Sequence, residues 1–244
     1  MVYLFGLLAI VFTFLGGLFA LRFKDKMHLI VGFSAGAVIG LAFFDLIPES
    51  FEILGQNFGI SNVCFFIILG FIIYMILDRF FMPHQHGHGE HEETLSTHKR
   101  PIFLSAGSLS LHSFLDGLII GLSFQVSFSI GLVVALAVLA HDFSDGINTV
   151  NFVLKNGGNR RSVLKWLTVD SLAPFLGVVV GSTLTLSENV LGIIISIFAG
   201  FFLYIGASEL LPESYHDHPT WWTTVATIFG VLFLFAITKL ASGF

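Results

Sequence analysis

A single cysteine, Cys64, leaves no partner for an intramolecular disulfide and excludes a zinc cluster built from cysteines. Charge is scarce too. Asp, Glu, Lys and Arg make up 11% of the 244 residues, against about 25% in a soluble domain, which excludes an aqueous globular fold. No basic residue precedes the first apolar stretch, Val2 to Leu21. At about 20 residues it is longer than the apolar core of roughly 7–15 residues in a cleavable signal peptide, so it is expected to stay as a membrane span. His-Glu-x-x-His, the helical zinc-hydrolase motif, is missing as well.

What fills the chain is apolar: 55% hydrophobic residues, 29 Phe, and a mean hydropathy of +0.89. Runs of about 20 predominantly apolar residues recur at 2–21, 28–47, 61–82, 102–124, 129–153, 162–183, 189–211 and 221–242. Open sheet edges cannot sit in lipid, and the alternation of a barrel strand is absent, so these are eight expected helices. The expected fold is an all-α integral membrane protein, one transmembrane domain over 1–244.

Basic residues give the orientation. Arg22, Lys24 and Lys26 lie between spans one and two; Arg79, Lys99 and Arg100 flank the connection from three to four; Lys155, Arg160, Arg161 and Lys165 surround that from five to six. Basic connections face the cytoplasm, which puts both termini outside. Of the eleven basic residues only Lys239 falls on the wrong side. The polar segment 83–100, containing "HQHGHGEHEETLSTHKR", becomes a cytoplasmic loop. Its histidines and glutamates suit loose divalent-metal binding; a solvated, disordered linker accounts for them equally.

Two stretches repeat. "AGAVIGLAFFDLIPES" ends span two and "AGFFLYIGASELLPES" ends span seven, pairing Gly36 with Gly200, Asp45 with Glu209 and Pro48 with Pro212 at a constant offset of 164. Those spans run in opposite directions, which is the mark of an inverted-repeat transporter with its substrate site near the midplane. Spans one to three would then match six to eight, a 3+2+3 arrangement with spans four and five between them.

The central pair carries a second repetition, "HSFLDG" at 112–117 and "HDFSDG" at 141–146. His112 with Asp116, and His141 with Asp145, are four apart and share a helix face; Asp142 lies three before Asp145. Ser113 and Asn148 offer neutral oxygen nearby. Ionisable groups at membrane depth cost about 2.5–3.5 kcal/mol each on insertion scales. No Lys or Arg lies within either span to offset them. A divalent cation fits, because imidazole and carboxylate together suit zinc and its neighbours; protons are the other candidate, since Asp/His chains also form relays. Asp170, four residues before Pro174, reads either as structural or as proton-linked. Gly117, Gly121 and Gly146 permit close helix approach.

Taken together, these residues resemble the ZIP (Zrt/Irt-like) family of divalent metal transporters along almost the whole chain. "HSFLDG" resembles the family's fourth-span segment, "HDFSDG" its fifth and "AGFFLYIGASELLPE" its seventh. The resemblance implies a metal site formed by His112, Ser113, Asp116, His141, Asp142 and Asp145, with Glu209 completing a second, binuclear half. It also implies a homodimer, movement of spans one, four, five and six against two, three, seven and eight, and transport of zinc toward the cytoplasm. Ser113 replaces the family's usual Asn, and Leu115 and Ser144 stand where many members have Pro. Asp116 and Asp145 are shorter than the common Glu.

The expectation is a carrier rather than an enzyme, with no prosthetic group and no nucleic-acid partner. Its partners would be the bilayer, a second copy and the metal as substrate: zinc first, then Fe, Mn or Cd. A compact chain suggests a prokaryotic plasma (inner) membrane. The alternatives are an intramembrane zinc hydrolase and a proton-coupled carrier of a non-metal solute.

Overall fold

The computed structural model describes residues 1–22, 27–81, 102–216 and 220–241. The histidine-rich loop expected at 83–100 lies outside the described residues. The protein is an all-α, multi-pass integral membrane protein. Among the described residues, eight helical spans are long and apolar enough to cross a bilayer, one for each stretch read from the sequence.

The helices are α1 (Val2–Arg22), α2 (Met27–Leu41), α3 (Ile47–Phe58), α4 (Ile60–Phe81), α5 (Ile102–Val126), α6 (Phe128–Lys155), α7 (Arg160–Thr183), α8 (Glu188–Tyr204), α9 (Leu211–His216) and α10 (Trp221–Ala241). Spans two and seven run on past the edges expected from hydropathy, to Gly55 and Tyr215. The reason is local. Proline has no N–H and its ring crowds the carbonyl four residues earlier, which would break a regular helix. Here a π-helical turn precedes each proline, Ala42–Leu46 before Pro48 and Ile205–Leu210 before Pro212. The Ile47 N–H bonds the Ala42 carbonyl and the Leu211 N–H bonds that of Gly206, so both bonds obey the offset of 164 found in the sequence. The two stretches therefore share a backbone defect as well as residues.

Helix pairing follows the same pseudo-symmetry. In one group α1 packs along α6 and α5 along α7; in the other α2 packs along α10 and α4 along α8. Glycines make each of these contacts reciprocal. A Cβ on Gly146 would strike the Thr13 carbonyl and one on Gly16 that of Phe143; on the matching pair Gly117 faces Pro174 and Gly177 faces Phe114. Gly36 and Gly230 join α2 to α10, and Gly70 and Gly200 join α4 to α8. Spans four and five thus exchange roles across the repeat: in each, the motif's Phe carbonyl and final Gly are the points where a neighbouring backbone comes in. Close approach of this kind lets van der Waals packing hold helices together where lipid supplies no hydrophobic drive.

The groups, α1/α5/α6/α7 and α2/α4/α8/α10, meet chiefly where α6 crosses α2. There the Ser34 hydroxyl lies 2.8 Å from both the Ala140 carbonyl, to which it donates, and the Ser144 hydroxyl. The outward faces of α1, α4 and α10 expose Leu7, Leu15, Ile68, Ile72, Phe229 and Leu232 among others. Lipid satisfies such faces, because the backbone polar groups are already paired inside the helices.

Candidate metal centre

The short α5–α6 connection at Ser127 sets two long helices side by side. Ser127 caps α6 by accepting from the Ile130 N–H at 3.1 Å. His112 and Asp116 on α5 then face His141 and Asp145 on α6, and one ligand atom from each lies within 4.8 Å of the other three. His112 Nε2 is 3.2 Å from Asp116 Oδ2 and 3.8 Å from Asp145 Oδ2. For His141 Nε2 the corresponding distances are 3.3 and 3.8 Å. A tetrahedron with ligands about 2.0–2.1 Å from its centre has edges of roughly 3.3–3.4 Å. The four nitrogen–oxygen edges bracket that value.

All four residues are buried. Asp145 Oδ2 has no hydrogen-bond partner, a costly state for a carboxylate oxygen away from water. With both imidazoles neutral the four groups carry two negative charges, which a divalent cation would cancel. The His141 ring is oriented by its own helix, because Nδ1 lies 3.0 Å from the Ala137 carbonyl. A carbonyl can only accept, so the proton sits on Nδ1 and Nε2 is directed into the cluster. The His112 Nδ1 lies 3.3 Å from the Tyr74 hydroxyl of α4. Both rings thus meet the usual requirement that a ligating histidine be held through its other nitrogen.

Ser113 and Asp142 fall outside this group, for one geometric reason. Each directly follows its histidine, and consecutive helix residues point about 100° apart. Ser113 donates to Asp170 Oδ1 at 2.9 Å and to the Leu109 carbonyl at 3.1 Å. Thr149 donates to the other Asp170 oxygen at 2.8 Å. Asp170 therefore ties α5, α6 and α7 together, and this arrangement favours the structural one of its two readings. Asp142 is fully buried and neither of its oxygens has a hydrogen-bond partner.

Glu209, in the π turn of span seven, joins His112 and Asp145 in lining a cavity of about 90 Å³. Tyr74, Asn148, Asn151 and Glu213 extend that lining toward the start of α5, the end of α6 and α9. Asp45, the repeat partner of Glu209, is buried with an unpartnered oxygen elsewhere. Sequence reading passed over Asp78, which accepts from the Tyr204 hydroxyl at 2.8 Å and lines a second hollow with His112 and Glu209. It also passed over Tyr74. Both sit in "YMILD" within span three, where an acid four residues after a tyrosine inside an apolar run was the available signal.

Known proteins resemble this chain in sequence. The ZIP zinc transporter family model matches residues 82–240, well over half of the chain. Zinc transporter ZIP9 of Micropogonias undulatus is 30% identical over 174 residues, 68% of this chain and 54% of that protein. Zinc transporter foi of Drosophila melanogaster is 28% identical over 140 residues, 57% of this chain and 19% of that one. Zinc transporter ZIP10 of Danio rerio is 29% identical over 107 residues, 43% of this chain and 13% of that one. The chain thus spans between 13% and 54% of the length of these relatives.

Proposed function

Because the chain belongs to the ZIP zinc transporter family, we propose that it carries divalent metal ions, zinc foremost, across a membrane through the cluster His112, Asp116, His141 and Asp145. The observation that carries this reading is the buried convergence of two imidazole nitrogens and two carboxylate oxygens, with nitrogen–oxygen separations of 3.2–3.8 Å and an unpartnered carboxylate oxygen among them. Two nitrogens and two oxygens at this spacing suit zinc. Iron(II), manganese and cadmium are the further candidate substrates.

The ion leaves the cluster on the side of His112 and Asp145, the two ligands that line the cavity. Asn148, Asn151, Glu209 and Glu213 supply oxygen along the way out. Under the orientation given by the basic residues, this end of the bundle is cytoplasmic and transport runs inward. The protein then works in a plasma membrane with both termini outside, as a single domain and as a homodimer. In this reading Asp142 is a further ligand and Glu209 completes the second half of the site. Ser113 contributes through Asp170 rather than as a ligand.

A hydrolase fits less well. Catalytic zinc sites keep a coordination position open for water, and here four protein groups converge closely enough to fill four positions. A proton-coupled carrier of another solute leaves the convergence of four ligand atoms within 4.8 Å without a purpose.

Zinc uptake into proteoliposomes tests the proposal, with the wild type beside a variant carrying both Asp116→Ala and Asp145→Ala. Saturable wild-type uptake that falls to background in the folded variant is expected. Equal, near-background flux from both would overturn the zinc reading.

A further inference from the structure

The two histidines of the cluster are held in different ways. His141 is buried behind the cavity, and its Nδ1 faces the Ala137 carbonyl one turn back on its own helix. That acceptor keeps the Nδ1–H tautomer whatever happens at Nε2. His112 lines the cavity beside Asp145, and its Nδ1 faces a phenol 3.3 Å away, the Tyr74 hydroxyl. A phenol can donate or accept. It can therefore serve His112 with the proton on either ring nitrogen.

We propose that Tyr74 is a positioning residue for the ion site, holding His112 as the adjustable, cavity-side ligand while His141 stays fixed. The inference rests on the ion-binding reading given above. When an ion occupies Nε2 of His112, Nδ1 must carry the proton and needs an acceptor, which is the Tyr74 oxygen. Because the phenol can accept or donate, Tyr74 can keep its contact with Nδ1 whether or not an ion is bound, and so hold the His112 ring in place. The backbone carbonyl at His141 can only accept.

Tyr74 is itself held for this work. The residue is 7% exposed, and its ring packs edge-on against Phe201 at 5.4 Å and His112 at 5.9 Å, with Tyr204 tilted beside it at 5.5 Å. A partner locked by packing fixes its ligand more tightly than one free to rotate. It also belongs to the α2/α4/α8/α10 group, whereas His112 belongs to the other. The bond therefore links the readiness of one ligand to how the two groups are placed.

The test is the equilibrium zinc affinity of the full chain in detergent, measured by competition with a chromophoric chelator. Four proteins are compared: wild type, Tyr74→Phe, His112→Ala and the double variant. Phenylalanine keeps the ring and its aromatic contacts, so metal-free thermal unfolding should stay near wild type. Tyr74→Phe is expected to weaken zinc binding by about tenfold, the lower end for loss of a group that orients a ligand. In the His112→Ala background the same change should have no effect. Wild-type affinity in Tyr74→Phe, or an equal loss in both backgrounds, would overturn the inference while leaving the transport reading intact. A wild type that binds no zinc would overturn both.

Discussion

Two buried carboxylates on adjacent helices have opposite surroundings. Asp170 on α7 receives a hydroxyl on each oxygen, from Ser113 and Thr149, and so closes the junction of α5, α6 and α7. Asp145 on α6 faces two imidazole nitrogens at 3.8 Å and leaves Oδ2 without a hydrogen bond. Both are acids inside an apolar bundle, so burial alone does not distinguish a structural group from a binding one. Satisfaction and neighbours together do. Asp170 has a donor on each oxygen and acts as a fastener; Asp145 Oδ2 has none and lies beside two imidazole nitrogens, where the proposed ion would supply the positive partner.

That contrast is best broken by moving the effect from one acid to the other. Asp145→Ala is expected to weaken equilibrium zinc binding by about 100-fold or more, roughly 3 kcal/mol at about 1.4 kcal/mol per tenfold. Chelator competition measures it, and an unchanged affinity would remove Asp145 from the site. Asp170→Ala should act in the other currency. It strands the Thr149 hydroxyl and loosens three helices, lowering unfolding stability in detergent by about 1–3 kcal/mol with zinc affinity little changed.

Smaller effects sharpen the same point. Thr149→Val removes one donor to Asp170 and is expected to cost about 0.6–1.7 kcal/mol, the range for hydrogen bonds between membrane helices. Ser113→Ala should cost about 0.6 kcal/mol or less, because its hydroxyl is shared with the Leu109 carbonyl. Thermal unfolding reads both stability changes. A tenfold loss of zinc affinity in Ser113→Ala would instead place its oxygen on the ion.

Much of this was legible in the sequence because membrane physics simplifies the pattern. Eight apolar runs gave eight spans, and the offset of 164 between "DLIPES" and "ELLPES" marked positions that also share a π turn. His112/Asp116 and His141/Asp145 could be grouped by spacing alone, since residues four apart share a helix face. The side-chain neighbours of Ser113 could not be read that way. Its spacing to His112 says that it points elsewhere, but only packing reveals Asp170 on a helix 57 residues away in sequence. Tyr74 and Asp78 escaped notice because span three has no motif; their importance comes from which helix α4 packs beside. Spans two and seven ran past their apolar edges because a widened turn accommodates Pro48 and Pro212, which hydropathy does not register.

The central claim is that one buried cluster of two imidazoles and two carboxylates binds the ion. X-ray absorption at the zinc edge, on wild-type protein loaded with one equivalent, tests it most directly. The account predicts a four-coordinate shell of nitrogen and oxygen at about 2.0–2.1 Å with scattering from two imidazoles. A six-oxygen shell without imidazole scattering would contradict it.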